Sequence, residues 1–313
     1  MKSWENRQLP RPEGSGVCVA MPLLIGLGEL LWDLLPTGPM LGGAPANFAV
    51  TARSLGASAA VVSRIGNDEN GNKALAQLAK LGLNVDHIQV DPNRPTGTVS
   101  VSLNDFGHPQ YTIHENVAWD FIHNLSATLN LAQSADSICF GSLAQRSETS
   151  RRSIHEILEA MNPGALRIFD VNLRQDYFSR AVLERSLELC NVLKISDEEL
   201  PRFADCLGLE GSQEVVLQYL GSKYHLLMTA LTRGSKGSLL VRGDERSDHP
   251  GVPTQVADTI GAGDAFTAAM ALGIMAGLGL DETNDRANRV AAFVCSQHGA
   301  TPAFPADLGR LFV

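Results

Sequence analysis

Short apolar runs recur along this chain, each ending in glycine or a polar residue and each followed by a stretch of helical spacing. Pro22-Leu-Leu-Ile-Gly-Leu-Gly28 is the first such run, and its continuous hydrophobicity predicts a buried parallel strand. Phe48 to Gly56 predicts a helix stopped by glycine, and Ala59–Ile65 a strand. Gly66-Asn-Asp-Glu-Asn-Gly71 leads into a helix that runs through Leu81. From residue 131 the alternation becomes regular. Strands are predicted at Ser137–Gly141, Arg167–Asp170, Val192–Ile195, Leu226–Thr232 and Gly237–Arg242. Helices are predicted at Thr149–Met161, 181–190 and Asp197–Leu207. Such alternation implies an α/β fold, a mostly parallel central sheet flanked by helices. Ligands in these folds sit beyond the carboxyl ends of the strands, so polar residues just after strands carry extra weight.

Residues 96–117 follow another period. Val99, Val101 and Leu103 alternate with Thr98, Ser100 and Ser102; after a turn at Asn104–Gly107, Tyr111 and Ile113 alternate with Thr112 and His114. Period two on both arms of a turn predicts a two-faced β-hairpin, one face apolar and the other small and polar.

Composition narrows the class. Of 313 residues, 44% are hydrophobic and 19% charged, which provides a sizeable core in one domain with an appendage. A net charge of −9 argues against nucleic acid or an anionic membrane surface as partner. Five scattered cysteines (18, 139, 190, 206 and 295) without a C-x-x-C pair fit a reducing cytoplasm better than a disulfide frame or a zinc site. The run Val17–Leu27 is too short for a membrane span and is broken by Pro22 and Gly26. Residues 1–21 are expected to be a disordered extension, with Met21 a candidate start.

The chemistry concentrates in Asp258-Thr-Ile-Gly-Ala-Gly-Asp-Ala-Phe266. After it, Phe266, Ala269, Met270, Gly273, Ile274 and Gly277 recur at helical steps on a face of small residues. A glycine turn that opens a helix leaves unpaired N–H groups at the positive end of the dipole, a site for an anion such as phosphate. Asp264 at that turn reads either as a helix cap or as a base beside a phosphate site.

This stretch resembles the C-terminal motif of the ribokinase-like (PfkB) carbohydrate kinases, and the rest of the chain, about 23–305, matches that family's motifs in order. The resemblance implies a ribokinase-like fold over 22–306, a small β-sheet lid from about 30–42 and 96–117, and a C-terminal tail at 307–313. It makes Asp264 the catalytic base and Gly261, Ala262 and Gly263 the anion hole. Asp33, in Gly28-Glu-Leu-Leu-Trp-Asp33, and Asn47, in Gly42-Gly43-Ala-Pro-Ala-Asn47, become sugar-binding residues with the two glycines; read alone, they are a turn residue and a helix start. Both forms are closest to the fructokinase branch. Arg174, in Asp170-Val-Asn-Leu-Arg174, would lie near the reacting phosphate or sugar, although a surface ion pair is its default reading. Glu199, in Lys194-Ile-Ser-Asp-Glu-Glu199, would orient water around Mg²⁺; Ser196 stands where the wider family carries Asn. Thr232, Gly234 and Gly237 resemble the nucleotide loop, which alone would be a plain hairpin turn, and Asn288 would edge the adenine. Carbonyls near Asp258 and Ile260, with the segment Val294–Gly299, are the candidate K⁺ ligands.

The activity implied is transfer of the ATP γ-phosphate to a hydroxymethyl group of a ketose, with fructose first. 2-Keto-3-deoxygluconate, ribose or a nucleoside, and a non-catalytic sugar-binding relative are the alternatives. A nucleoside would need an aromatic pocket, for which Trp32, Phe106 and Trp119 are candidates. Neither nucleic acid nor membrane is an expected partner. The lid's polar face would meet sugar hydroxyls, and its apolar face a second subunit in a homodimer.

Overall fold

The computed structural model describes residues 21–36, 38–103 and 109–312. The chain starts in a large sheet with β1 (Leu23–Leu27), then leaves it for a small sheet as β2 (Leu31–Leu35) and β3 (Gly38–Gly42). It returns through α1 (Ala44–Ser54) to β4 (Ser58–Gly66), followed by α2 (Glu69–Lys80) and β5 (Ile88–Asp91). A second excursion supplies β6 (Gly97–Leu103) and β7 (Pro109–Ile113) to the small sheet. The chain then alternates: α3 (Ser126–Ser134), β8 (Ser137–Phe140), α4 (Glu148–Glu159), β9 (Leu166–Asp170), α5 (Arg180–Leu189) and β10 (Val192–Ser196). Next come α6 (Leu200–Leu207), α7 (Gln213–Lys223), β11 (Met228–Thr232), β12 (Ser238–Arg242) and β13 (Glu245–His249). The last helices are α8 (Ala262–Met275), α9 (Leu280–Cys295) and a short α10 (Ala306–Gly309).

The large sheet has nine strands in the order β13-β12-β11-β10-β9-β8-β1-β4-β5. It is parallel except at one edge, where β12 runs antiparallel to both β11 and β13. Period two divides its strand residues between two cores. Ile25, Leu27, Phe140, Phe169, Leu193 and Ile195 face one layer, and Leu24, Cys139, Ile168 and Val192 the other. The second layer is capped by α1, α8 and α9. The small-residue face of α8 is what lets α9 approach: a Cβ on Gly273 would stand 2.8 Å from Thr283.

The small sheet has the order β3-β2-β6-β7. Its register pairs Asp33 with Met40 and Val99, and Val99 with Ile113, so these four side chains share one face. Val99 and Ile113 are buried in the first core. On the apolar face expected to meet a second subunit, Val99 and Ile113 are therefore covered by the chain itself, while Tyr111 stays exposed. The outward face carries Leu34, Ser100 and Thr112 in register. Apolar burial overrides the expected orientation, because the inner face is the one that packs on the main sheet.

Other boundaries move for local reasons. The helix expected from Asp197 starts at Leu200, because Ser196–Glu199 is a turn closed by Glu199 N–H donating to Ser196 O at 3.2 Å. The expected tail at 307–313 contains α10, with Leu308 buried. The expected disordered extension falls almost wholly on residues 1–20, and the hairpin turn on 104–107; both lie outside the described residues. No described helix is long and apolar enough to cross a membrane.

Candidate active site

β1, β9 and β10 point their carboxyl ends at the N-terminus of α8, and there the predicted residues converge. Gly261 caps α8 with φ +78°, and a Cβ on it would stand 2.7 Å from Ala300. Only glycine takes this position without strain. Ala262 N–H donates to Thr259 O at 3.3 Å, and Ala265 N–H to Gly261 O at 2.9 Å. Among the described residues the amides of Gly261, Gly263 and Asp264 have no acceptor. Two of the three expected anion-hole residues thus present a free N–H, and Asp264 adds another.

Asp264 lies in the first turn of α8, but its side chain caps no amide of that helix. Its Oδ2 instead accepts from Asn47 Nδ2 at 2.8 Å. That bond joins the N-terminal part of α1 to the first turn of α8, across 217 residues of sequence. Burial, then the charge of Asp170, raises the Asp264 carboxyl to about 6, while Asn47, Lys194 and Arg174 pull the other way.

Beneath the turn lies a buried polar chain. Lys194 Nζ donates to Asp170 Oδ1 at 2.9 Å, and Thr267 Oγ1 donates to Asp170 Oδ2 at 2.8 Å. A Cβ on Gly263 would stand 3.1 Å from Lys194 Nζ, so the ammonium lies directly against the glycine turn. Burial opposes the Lys194 charge, but Asp170 and then Glu199 outweigh it and hold the ammonium firmly protonated. Sequence reasoning placed Asp170 and Lys194 inside motifs without giving them a role. The available signal was two ionisable residues at the ends of apolar strands.

The residues expected to bind sugar lie toward the same spot, with Asn47 joined to Asp264. Asp33 is half-buried on the inner face of the small sheet, raised above its ordinary range by burial and lowered by Arg174. Its Oδ2 would stand 2.4 Å from a Cβ on Gly42, so the glycine leaves room for the carboxylate. Gly43 caps α1 at φ 115°, and Asn47 is buried on that helix. Glu29, not expected from the sequence, is buried just after β1 and raised to about 7, chiefly by burial. Arg174 is exposed on the loop after β9, with Nη1 donating to Leu173 O at 3.1 Å. It forms no ion pair among the described residues, so its default reading fails; its charge acts on Glu29, Asp33 and Asp264 instead.

Glu199 has both oxygens engaged: Oε1 accepts from Leu173 N–H at 2.7 Å, and Oε2 from Ser196 Oγ at 2.8 Å. It thereby fastens the loop of Arg174 to the end of β10. Asp258 spans its own turn, with Oδ1 accepting from Ile260 N–H at 3.0 Å and Oδ2 from Gly299 N–H at 3.1 Å. The two segments expected to hold K⁺ are thus adjacent. Thr232–Gly237 forms a tight hairpin, closed by Arg233 N–H on Gly237 O at 2.7 Å. Asn288 is buried, and its Nδ2 donates to Ser238 Oγ at 2.7 Å and to Asn284 O at 2.8 Å, so its amide donor ties α9 to β12. Trp119 is fully buried, and Trp32 is buried with Nε1 donating to Asn70 O, so neither opens an aromatic pocket; Phe106 lies outside the described residues.

Comparison with known proteins identifies the family. Residues 40–307 match the pfkB family carbohydrate kinase model. The chain is 31% identical over 297 residues to a sugar kinase of Pyrococcus horikoshii, covering 89% of this chain and 91% of that one. The crystal structure of that uncharacterized kinase superposes with a TM-score of 0.77. A fructokinase of Escherichia coli is 29% identical over 296 residues, covering 89% of this chain and 95% of the relative. The fructokinase of Vibrio cholerae O395, solved with fructose, ADP and a calcium ion, is 26% identical with a TM-score of 0.76, covering 94% and 99%. The chain belongs to the pfkB family of carbohydrate kinases, phosphotransferases that act on an alcohol group.

Proposed function

We propose that this kinase transfers the γ-phosphate of ATP to a hydroxymethyl group of a ketose, fructose first. The observation that carries the reading is the 2.8 Å bond between Asn47 and Asp264, in which a side-chain amide meets a carboxylate at a helix N-terminus with free amides. Asp264 takes the proton of the attacking hydroxyl. The amides of Gly261, Gly263 and Asp264, with Ala262 shaping their turn, stabilise charge on the phosphoryl group in flight. Asp33 and Asn47, with Gly42 and Gly43 leaving them room, hold the sugar hydroxyls. Arg174 offers its unpaired guanidinium to the phosphoryl group, and Lys194 places a further positive charge beneath it. Thr232, Gly234 and Gly237 border the nucleotide, with Asn288 behind them. The named fructokinase relatives support fructose as the acceptor.

Mg²⁺ prefers oxygen ligands and keeps several waters, joining a site through phosphates and one or two carboxylates. The donor set fits that mode: no group of three or more acidic, His or Cys residues gathers as a protein cage among the described residues, while Glu199 Oε1, accepting one bond, has a lone pair left for water. When bound, the ion would neutralise charge on the phosphates. The segment pair joined by Asp258, with Ile260 beside it, fits a monovalent ion held by carbonyls, in the manner of K⁺.

A coupled ADP-release assay with MgATP tests the reading on fructose, 2-keto-3-deoxygluconate, ribose, fructose 6-phosphate and adenosine. Fructose should turn over, and Asp264→Asn should lower kcat at least ~10²-fold while sugar binding stays near wild type. Unchanged turnover in that variant removes Asp264 from its role. Silence across the panel favours a non-catalytic sugar-binding protein. A second reading, 2-keto-3-deoxygluconate, has one observation in its favour: Arg174 is a cation with no carboxylate partner among the described residues, suited to a substrate carboxylate.

A further inference from the structure

Glu29 is a buried acid for which the mechanism above has no task. It follows β1 by two residues and is 2% exposed. Its Oε2 is enclosed, with no hydrogen-bond partner. A fully charged carboxylate with an orphan oxygen is strongly disfavoured in such a place. Three elements face it. The charges of Arg174, on the loop after β9, and of Asp264, in the first turn of α8, act on it without an ion pair or hydrogen bond among the described residues, and the amide of Ala44 at the start of α1 and its own N–H are its donors. Burial lifts its carboxyl to about 7; its own amide and Arg174 favour the charged form, and Asp264 opposes it. Arg174, exposed and outside any ion pair among the described residues, is the one cation in this set and is open to a ligand.

We propose that Glu29 is a proton-coupled positioning residue: as a carboxylate it steadies Arg174 over the unliganded site, and it takes up a proton from solvent when an anion claims that guanidinium. The inference rests on the phosphoryl-transfer reading, in which the anion is the γ-phosphoryl group. An arriving anion neutralises Arg174 and adds negative charge nearby. Both effects favour the neutral acid, so binding near neutral pH should draw in a proton. The orphan oxygen fits this device, since an acid that must change charge gains nothing from a permanent donor. Uptake also keeps the site from gathering three negative groups, Glu29, Asp264 and the phosphoryl, around one arginine.

Calorimetry tests this directly. The probe is the Mg²⁺ complex of β,γ-methylene ATP, titrated into the full chain with fructose present at pH 7, in buffers of different ionisation enthalpy. A group that ionises at about 7 is half-protonated there, so wild type should take up as much as about half a proton per site through Glu29. Glu29→Gln, nearly isosteric and always neutral, should lose that uptake, while Asp264→Asn should keep it. Uptake unchanged in Glu29→Gln, or lost only in Asp264→Asn, overturns the proposal. Arg174→Met guards against a misfolded Glu29 variant: without the cation, Glu29 is already neutral and uptake should vanish, so uptake retained there also overturns it. A wild type that binds no nucleotide overturns the phosphoryl-transfer reading itself, whereas binding with uptake independent of Glu29 overturns this inference alone.

Discussion

Asp264 shows how environment sets the role of a residue. An exposed aspartate would be ionised far below neutral pH, but burial beside Asp170 raises this one to about 6. The proposed base, Asp264, must be ionised to work, so kcat/KM should fall as pH drops through about 6. The bond from Asn47 favours the charged form. Asn47→Ala should therefore move that acid limb to higher pH, by about one unit or less for one hydrogen bond. A pH–rate profile of the variant with its limb unmoved would separate Asn47 from the base. The alternative reading of Asp264 as a plain cap had a local rationale, since aspartate before a helix usually caps it. Here the side chain turns to α1 instead, a partner that no local pattern announces.

At the scale of elements, the turn into α8 depends on backbone that other residues cannot adopt. Gly261 combines a left-handed φ with a close approach to Ala300. Gly261→Ala should cost about 1–3 kcal/mol of stability, read as a lowered midpoint in urea unfolding, and should reduce turnover further by displacing the free amides. A variant as stable and active as wild type would show that this turn tolerates a side chain. The strands and helices around it were legible from period and glycine placement, because each is a local pattern repeated over several residues. The start of α6 was not, since Glu199 spends its carboxylate on the turn of Ser196 and on Leu173. That bond also explains how a residue expected to serve a metal doubles as the clasp of the loop of Arg174.

Across the whole molecule, the small sheet and the loop of Arg174 are one connected unit. Gln175 Nε2 donates to Tyr111 O at 2.8 Å, and Tyr177 OH to Glu115 Oε1, just past β7, at 2.7 Å. Asn172 and Gln175 in that loop both hold φ of +46°, a conformation that persists only when its surroundings fix it. Movement of the lid over the sugar should therefore carry Arg174 with it. Tyr177→Phe breaks the bond to Glu115 and leaves the ring in place. It should raise the KM for sugar about threefold to tenfold, the worth of about 1 kcal/mol, with thermal stability nearly unchanged. Steady-state kinetics with KM unaltered would mean the sheet closes independently of this contact.

The sequence by itself determined the alternation of strands and helices, the free amide turn before α8, and the identity of the residues that meet there. These are properties of short stretches: period, glycine and a carboxylate at fixed offsets. Tertiary structure alone decided which of those stretches touch. It joined Asn47 to Asp264, set Lys194 against Gly263 through Asp170, and turned Val99 and Ile113 inward so that the apolar face of the hairpin joined the core. It also buried Glu29 where the charges of Asp264 and Arg174 act on it, which no offset along the chain reveals. The physical reason is range. Propensity and periodicity act over a few residues, whereas desolvation and charge coupling depend on neighbours brought together by the fold from distant parts of the chain.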